Sequence, residues 1–315
     1  MLFGSRFSIF PMVAFLCLTS TVSAEMNHSM SSDDSHLALP APKTNGVDAA
    51  TLEIRKNKIE EIYNKLIYPF PKAILANPKL VDHIFDSKNI RGRVTPAGAY
   101  YDMEAVIEYF YAFAYTGITR VDAVKINKIV AAGDIVAVDV DLHFCGIPYI
   151  ACDPSIAKDM FNTTLRQTGF YTFNDDNKVV SFDLTIPNLG EAHNVASEFK
   201  RNMAIEGVCM NLTTSHLNIV TDEIKLEGTC TKYFDGPEDF AEGFPVTDSP
   251  RKNCIRFMNS IPYGTWDQPK SNTFVCRMLH SLLTPVREMH CAHTSYDGGG
   301  KCVDQEYSQF FEKAY

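Results

Sequence analysis

The spacing of apolar positions changes twice along the chain. Ile59, Ile62, Tyr63 and Leu66 fall at helical intervals with charges between them, which predicts an amphipathic helix beginning near Thr51 and ending before Pro69. A second, short helix is expected from Pro78 to Phe85. Asp102, with Glu104 behind it, is an N-cap signal for a third, whose stripe is Val106, Ile107, Phe110, Phe113 and Ala114. Beyond Gly117 the period drops to two. Residues 119–131 and 135–145 read as strands joined by Ala132-Gly133-Asp134, and in the second of them Val136, Val138, Val140, Leu142 and Phe144 face one way. Residues 163–173 and 178–186 form a second strand pair around Asn174-Asp175-Asp176-Asn177, and Pro187 ends it. Helices come first and an antiparallel meander follows.

Ahead of the helices, Arg6, the apolar run Phe7 to Leu18 and the small-residue end Val22-Ser23-Ala24 have the layout of a cleavable signal peptide, residues 1–24. The run is too short to span a bilayer, and charges interrupt every later apolar stretch. Residues 25–48 are rich in Ser, Asp, Pro and Ala, with His28 and His36 among them, and read as a disordered leader. The expected setting is therefore secreted, with no membrane span. Loss of Arg6 with the leader takes the formal charge from −9 to −10, an acidic surface that disfavours nucleic acid and anionic lipid. It also removes Cys17 and leaves an even set: Cys145, Cys152, Cys209, Cys230, Cys254, Cys276, Cys291 and Cys302. In an oxidising compartment these are staples rather than thiolates, which argues against a cysteine nucleophile or a zinc finger. The sequons at Asn27, Asn162 and Asn211 suit the same compartment.

The helix-helix-helix-meander order, with Gly169-Phe-Tyr-Thr-Phe173, a polar turn and Lys178-Val-Val-Ser-Phe-Asp183, resembles the nuclear-transport-factor-2-like and SnoaL-like superfamily over about residues 50–190. That resemblance implies an α+β fold in which a curved antiparallel sheet packs on three N-terminal helices as a cone, here spanning 49–195, with a pocket that takes a small apolar molecule. It fixes no activity, because one fold hosts many chemistries. Residues 203–315 are expected to form a cysteine-rich, disulfide-stabilised mixed domain, with one clear helix from Asn272 to about Leu283. Cys145 and Cys152 would close a small loop, and the other six cysteines would pair among themselves in one of 15 ways.

Chemistry is sparser. The resemblance implies acid–base groups among the helices and on the inner sheet face, for which Tyr63, Asp82, His83 and Asp102 are the candidates. Each has a structural reading as well, Asp102 as a cap and Tyr63 as core. In the second half, Cys276-Arg-Met-Leu-His280 and His290-Cys-Ala-His293 could bring His280, His290 and His293 together on zinc or copper, or could simply be hydrogen-bonded histidines. Neither a His-Glu-x-x-His helix nor a Gly-x-Ser-x-Gly elbow is present. The sequence thus points first to a secreted binder of a small apolar ligand or a partner, without a cofactor. Its alternatives are a SnoaL-like lyase or isomerase for a small carbonyl substrate, and an interaction protein whose cone only forms a homodimer.

Overall fold

The computed structural model describes residues 46–116, 119–145, 162–191, 201–221, 223–235, 249–304 and 306. The expected signal peptide and nearly all of the leader, with Asn27, lie outside them. Asp48 opens the first helix, its carboxylate accepting from the Thr51 backbone N–H at 2.7 Å, and α1 runs Ala49–Asn64. Ile59, Ile62, Tyr63 and Leu66 are all buried. The second helix comes earlier than the sequence suggested: α2 is Phe70–Ala76, and Pro78–Val81 form only a short 3₁₀ turn. Proline explains the shift. Pro71 fits the first turn of α2, where its missing N–H costs nothing, whereas Pro78 pushes Asn77 out of helical geometry (φ −147°, ψ 85°) and breaks the chain there. Asp102 caps α3, Met103–Ile107, by accepting from Ala105 N–H at 2.7 Å. The helix then widens into a π turn over Glu108–Ala112, and all five side chains, which point all round the turn, are buried, Glu108 included.

Six strands make one sheet: β1 (Arg91–Thr95), β2 (Gly98–Tyr100), β3 (Arg120–Ala132), β4 (Ile135–Cys145), β5 (Asn162–Phe173) and β6 (Val179–Thr185), in the order β2-β1-β6-β5-β4-β3. The meander β3 to β6 is antiparallel, as predicted, and β1 adds to β6 in parallel. The β1–β2 hairpin has no counterpart in the hydrophobic pattern of the sequence. Arg91-Gly-Arg-Val-Thr95 carries almost no apolar pattern, and its strand geometry comes from pairing with β6. Two register shifts in β3, between Val121 and Ala123 and between Ile126 and Lys128, bend the sheet. Gly169 is held at φ +153°, and a Cβ there would stand 2.2 Å from the Asp183 carbonyl oxygen, so β5 can approach β6 only with glycine at this position. Alternation is kept on the inner face: Val136, Val138, Val140 and Leu142 of β4 are buried alongside Leu165, Gln167 and Tyr171 of β5. The result is the α+β cone that the resemblance implied, helices on the concave side of a curved sheet.

Among the described residues the second half holds four helices and one small hairpin: α4 (Arg201–Thr213), β7 (His216–Asn218), β8 (Glu223–Lys225), α5 (Pro250–Ser260), α6 (Phe274–Ser281) and α7 (Met289–Thr294). The sequence revealed only α6. That helix starts two residues after Asn272, because the Thr273 hydroxyl caps it by accepting from Cys276 N–H at 3.3 Å. Disulfides join Cys209 to Cys254, Cys230 to Cys291 and Cys276 to Cys302, so the six cysteines pair among themselves. Cys145 is also disulfide-bonded, and its expected partner Cys152 lies outside the described residues. Arg277, fully buried, organises this half. Its guanidinium donates to the carbonyls of Ser295 (3.1 Å), Thr273 (3.2 Å) and Tyr296 (3.3 Å) and lies 4.9 Å from the Phe257 ring centroid. One hydrophobic cluster runs from Ile59, Tyr171 and Phe182 in the cone to Val208, Phe257, Phe274 and Met278 beyond it. Among the described residues no helix is long and apolar enough to cross a membrane.

Candidate functional site

The cone holds an open-mouthed cavity of about 110 Å³. Its walls are Leu66 from the segment after α1, Tyr109, Phe110 and Phe113 from the π turn and the residue that follows it, and Leu142, Phe144 and Leu165 from β4 and β5. The wall is completed from the second half of the chain by Trp266, Pro269, Leu279 and Leu282. Trp266, the sole tryptophan of the sequence, is 4% exposed. Among the described lining residues there is no carboxylate, imidazole or ammonium group; the polar ones are Tyr109, Thr116, Thr119, Thr163 and Gln167. Thr116 and Thr119 bond each other, their hydroxyl oxygens 2.9 Å apart.

Gln167 carries a directed hydrogen-bond chain. Tyr171 O–H donates to the Tyr63 oxygen at 2.9 Å, and Tyr63 O–H donates to Gln167 Oε1 at 2.7 Å. On its other side Gln167 Nε2 donates to the Tyr109 oxygen at 2.6 Å. All three phenols are fully or nearly buried, and burial drives each well above the ordinary tyrosine range, so each keeps its proton. Tyr109 acts as acceptor in this contact and is one of the residues that line the cavity.

A second polar cluster sits where α6 and α7 meet the π turn. His280, His290 and His293 present ring nitrogens all within 4.8 Å of one another. The His280 Nδ1 is 3.1 Å from His290 Nδ1 and 3.2 Å from His293 Nδ1. On its far side His290 Nε2 lies 3.3 Å from Glu108 Oε2, which Arg287 Nη1 also approaches at 3.3 Å. Burial is the main reason that the His280 imidazole titrates well below the usual histidine range, with the His293 and His290 rings adding to it. Burial likewise brings His293 down to about 4. Both rings are neutral at neutral pH, with lone pairs available.

The candidates for acid–base work stay apart. His83 is exposed and pairs with Glu61 (Nε2 to Oε1, 2.9 Å); Asp82 is exposed beside it; Asp102 is spent on the α3 cap; and Tyr63 is the buried link to Gln167. None of the four lines the cavity. Of the sequons, Asn162 begins β5, and Asn211 Nδ2 donates to Ser281 O (2.8 Å) and Thr284 Oγ1 (3.3 Å), so that amide is engaged within the fold. Two residues that matter carry a fainter signal in the sequence. Gln167 holds an inward register position between Leu165 and Tyr171, where a polar side chain was a legible signal. Glu108 is the lone carboxylate in the apolar run from Ala105 to Tyr115.

Against known proteins, the BfoA family C-terminal domain matches residues 249–305, the segment that holds α5 to α7 and all three clustered histidines. No curated protein sequence matches the chain. Among solved structures, the chain is similar to a candidate SnoaL-like polyketide cyclase from Jannaschia sp. CCS1 at 9% identity, covering 49% of this chain and 99% of that one with a TM-score of 0.35. It is also similar to an LEH-like epoxide hydrolase of M. tuberculosis (10% identity, 47% and 92% covered, TM-score 0.33). A third likeness is to a de novo designed protein with a curved β-sheet (16% identity, 46% and 97% covered, TM-score 0.31).

Proposed function

We propose that the protein is an exported binder of a small, mainly apolar molecule carrying one hydrogen-bond acceptor, held in the cone cavity beneath the disulfide-stapled second half. The observation that carries this reading is the wall itself: apolar on nearly every side, with the Tyr109 hydroxyl, which acts as acceptor toward Gln167, as the group offered to an acceptor on the ligand. A lyase or isomerase would need a base beside the substrate, and the described wall supplies no carboxylate or imidazole, so binding is the better-supported alternative. Export is supported by the leader pattern of residues 1–24 and by the three disulfides.

Size narrows the ligand class. At about 110 Å³ the cavity is smaller than the roughly 150 Å³ that takes benzene, but its mouth is open, so it suits a short chain, or a single ring held in part, with a carbonyl or ether oxygen. Burying about 200 Å² of such a molecule at about 25 cal/mol/Å² gives roughly 5 kcal/mol, a Kd near 0.2 mM. Trp266 reports on occupancy without a label. Titration with one-ring ketones should change Trp266 fluorescence with saturation below about 1 mM, and Tyr109→Phe should weaken the ketones more than the matching hydrocarbons. A flat response from both series, with no small molecule found by native mass spectrometry, would overturn the reading.

A further inference from the structure

The histidine cluster is not explained by hydrogen bonding alone. One ring nitrogen, His280 Nδ1, faces two others at 3.1 and 3.2 Å. It carries either one proton or one in-plane lone pair, so it cannot make two linear hydrogen bonds. Glu108 tightens the constraint. A carboxylate 3.3 Å from His290 Nε2 keeps the proton on that nitrogen and turns the Nδ1 lone pair toward His280 and His293. With His290 accepting, His280 can give its single proton to only one neighbour. The other nitrogen is then left without a linear bond, and if His280 Nδ1 carries no proton its lone pair faces that of His290, unless a cation lies between them.

Two of the three spacings fit such a cation, and the third pair, His290 and His293, lies within 4.8 Å. Three nitrogens bound at about 2.0–2.1 Å in a tetrahedral arrangement stand about 3.3 Å apart, close to the two separations seen here. Each donor comes from a fixed place: His280 from α6, His290 and His293 from α7 on adjacent turns, and α7 is pinned by the Cys230–Cys291 disulfide. The sulfurs of Cys276 and Cys302 are also close to His280, but they are bonded to each other and offer no thiolate. Imidazoles are the donors.

We propose that His280, His290 and His293 form a three-imidazole site for a divalent ion of the zinc and copper class, with Glu108 as the positioning residue that sets the His290 tautomer. A histidine that ligates through one nitrogen while the other bonds a carboxylate is a recurring design of such sites. Because Glu108 belongs to the π turn of the cone and the histidines to the second half, the bound ion would tie the two halves together next to the cavity wall residues Leu279 and Leu282. The fourth coordination position is left to water or a small anion.

The test uses the full secreted chain, its disulfides intact, stripped with a chelator and then titrated separately with zinc chloride and copper(II) chloride by calorimetry. The expected result is one equivalent bound with micromolar or tighter affinity and a raised Tm. His280→Ala and His293→Ala should each lose more than about 100-fold in affinity, and Glu108→Gln about 10- to 100-fold. No binding by the wild type at about 1 mM metal would overturn the proposal, as would unchanged binding in the histidine variants, which would place the ion elsewhere, for example on His28 and His36. If the variants fail to fold, electron paramagnetic resonance of the copper-loaded wild type still decides: coupling to three imidazole nitrogens supports the site, and fewer overturns it. Neither readout depends on the cone's ligand, so failure here leaves the binding proposal standing, and the reverse.

Discussion

Tyr63→Phe removes one oxygen from the middle of the Tyr171–Tyr63–Gln167 chain and leaves the ring in place. Tyr63 and Tyr171 are fully buried and Gln167 is 2% exposed, so water cannot replace what is lost. Two groups are orphaned: Gln167 Oε1 loses a 2.7 Å donor, and Tyr171 O–H loses a 2.9 Å acceptor. At about 1–3 kcal/mol for each buried unsatisfied group, less about 1 kcal/mol because the deleted hydroxyl no longer has to be desolvated, the expected cost is about 3 kcal/mol. For a urea m-value near 3 kcal/mol/M this moves the unfolding midpoint down by about 1 M, measured by circular dichroism on the oxidised protein. Tyr63→Phe combined with Tyr171→Phe removes one of the two orphans, so the double variant should cost about 1–2 kcal/mol less than the sum of the singles. A single-variant cost under about 0.5 kcal/mol, or strict additivity, would show that this chain of hydrogen bonds does not hold the cavity floor together.

Three further outcomes are expected. Replacing Cys230 and Cys291 together by Ser opens a cross-link between residues 61 apart in sequence and should cost about 4 kcal/mol in the same urea assay, with the midpoint falling accordingly. Arg277→Met strips donors from three buried carbonyls in the second half and should cost at least about 3 kcal/mol, a loss visible as earlier proteolysis within residues 249–304 than in the cone. Asp86 accepts from the Asn89 side chain, the Lys88 N–H and the Asn174 side chain, which hold its carboxyl below the usual value. A depressed carboxylate stabilises the fold above the unfolded-state pKa and loses that contribution as pH falls through the folded one, so wild type should lose more stability between about pH 5 and pH 3 than Asp86→Asn does.

How much of this was legible follows from which forces act locally. The β3–β6 meander, α1 and the α3 cap could be read from the sequence because hydrophobic period and capping chemistry are properties of neighbouring residues, and Val136 to Leu142 or Asp102 state them directly. The site was another matter. Histidines 280, 290 and 293 were visible as a group, yet their convergence needed the angle between α6 and α7, and Glu108, the partner that sets one of their tautomers, is more than 170 residues away in the chain. The second helix lies earlier than its apolar pattern predicts because Pro71 suits a first turn whereas Pro78 breaks the helix at Asn77. By itself the sequence determined an α+β chain with an acidic surface, a leader that reads as an export signal, and an inward face on each long strand. Tertiary structure alone decided the disulfide pairs, the strand identity of Arg91–Thr95, the place of Trp266 and Leu279 in the cavity wall, and the meeting of three imidazoles. The reason is physical: periodicity and caps are fixed by energies between residues a few positions apart, whereas a cavity or a cluster of donors exists only once long-range burial has brought distant segments together.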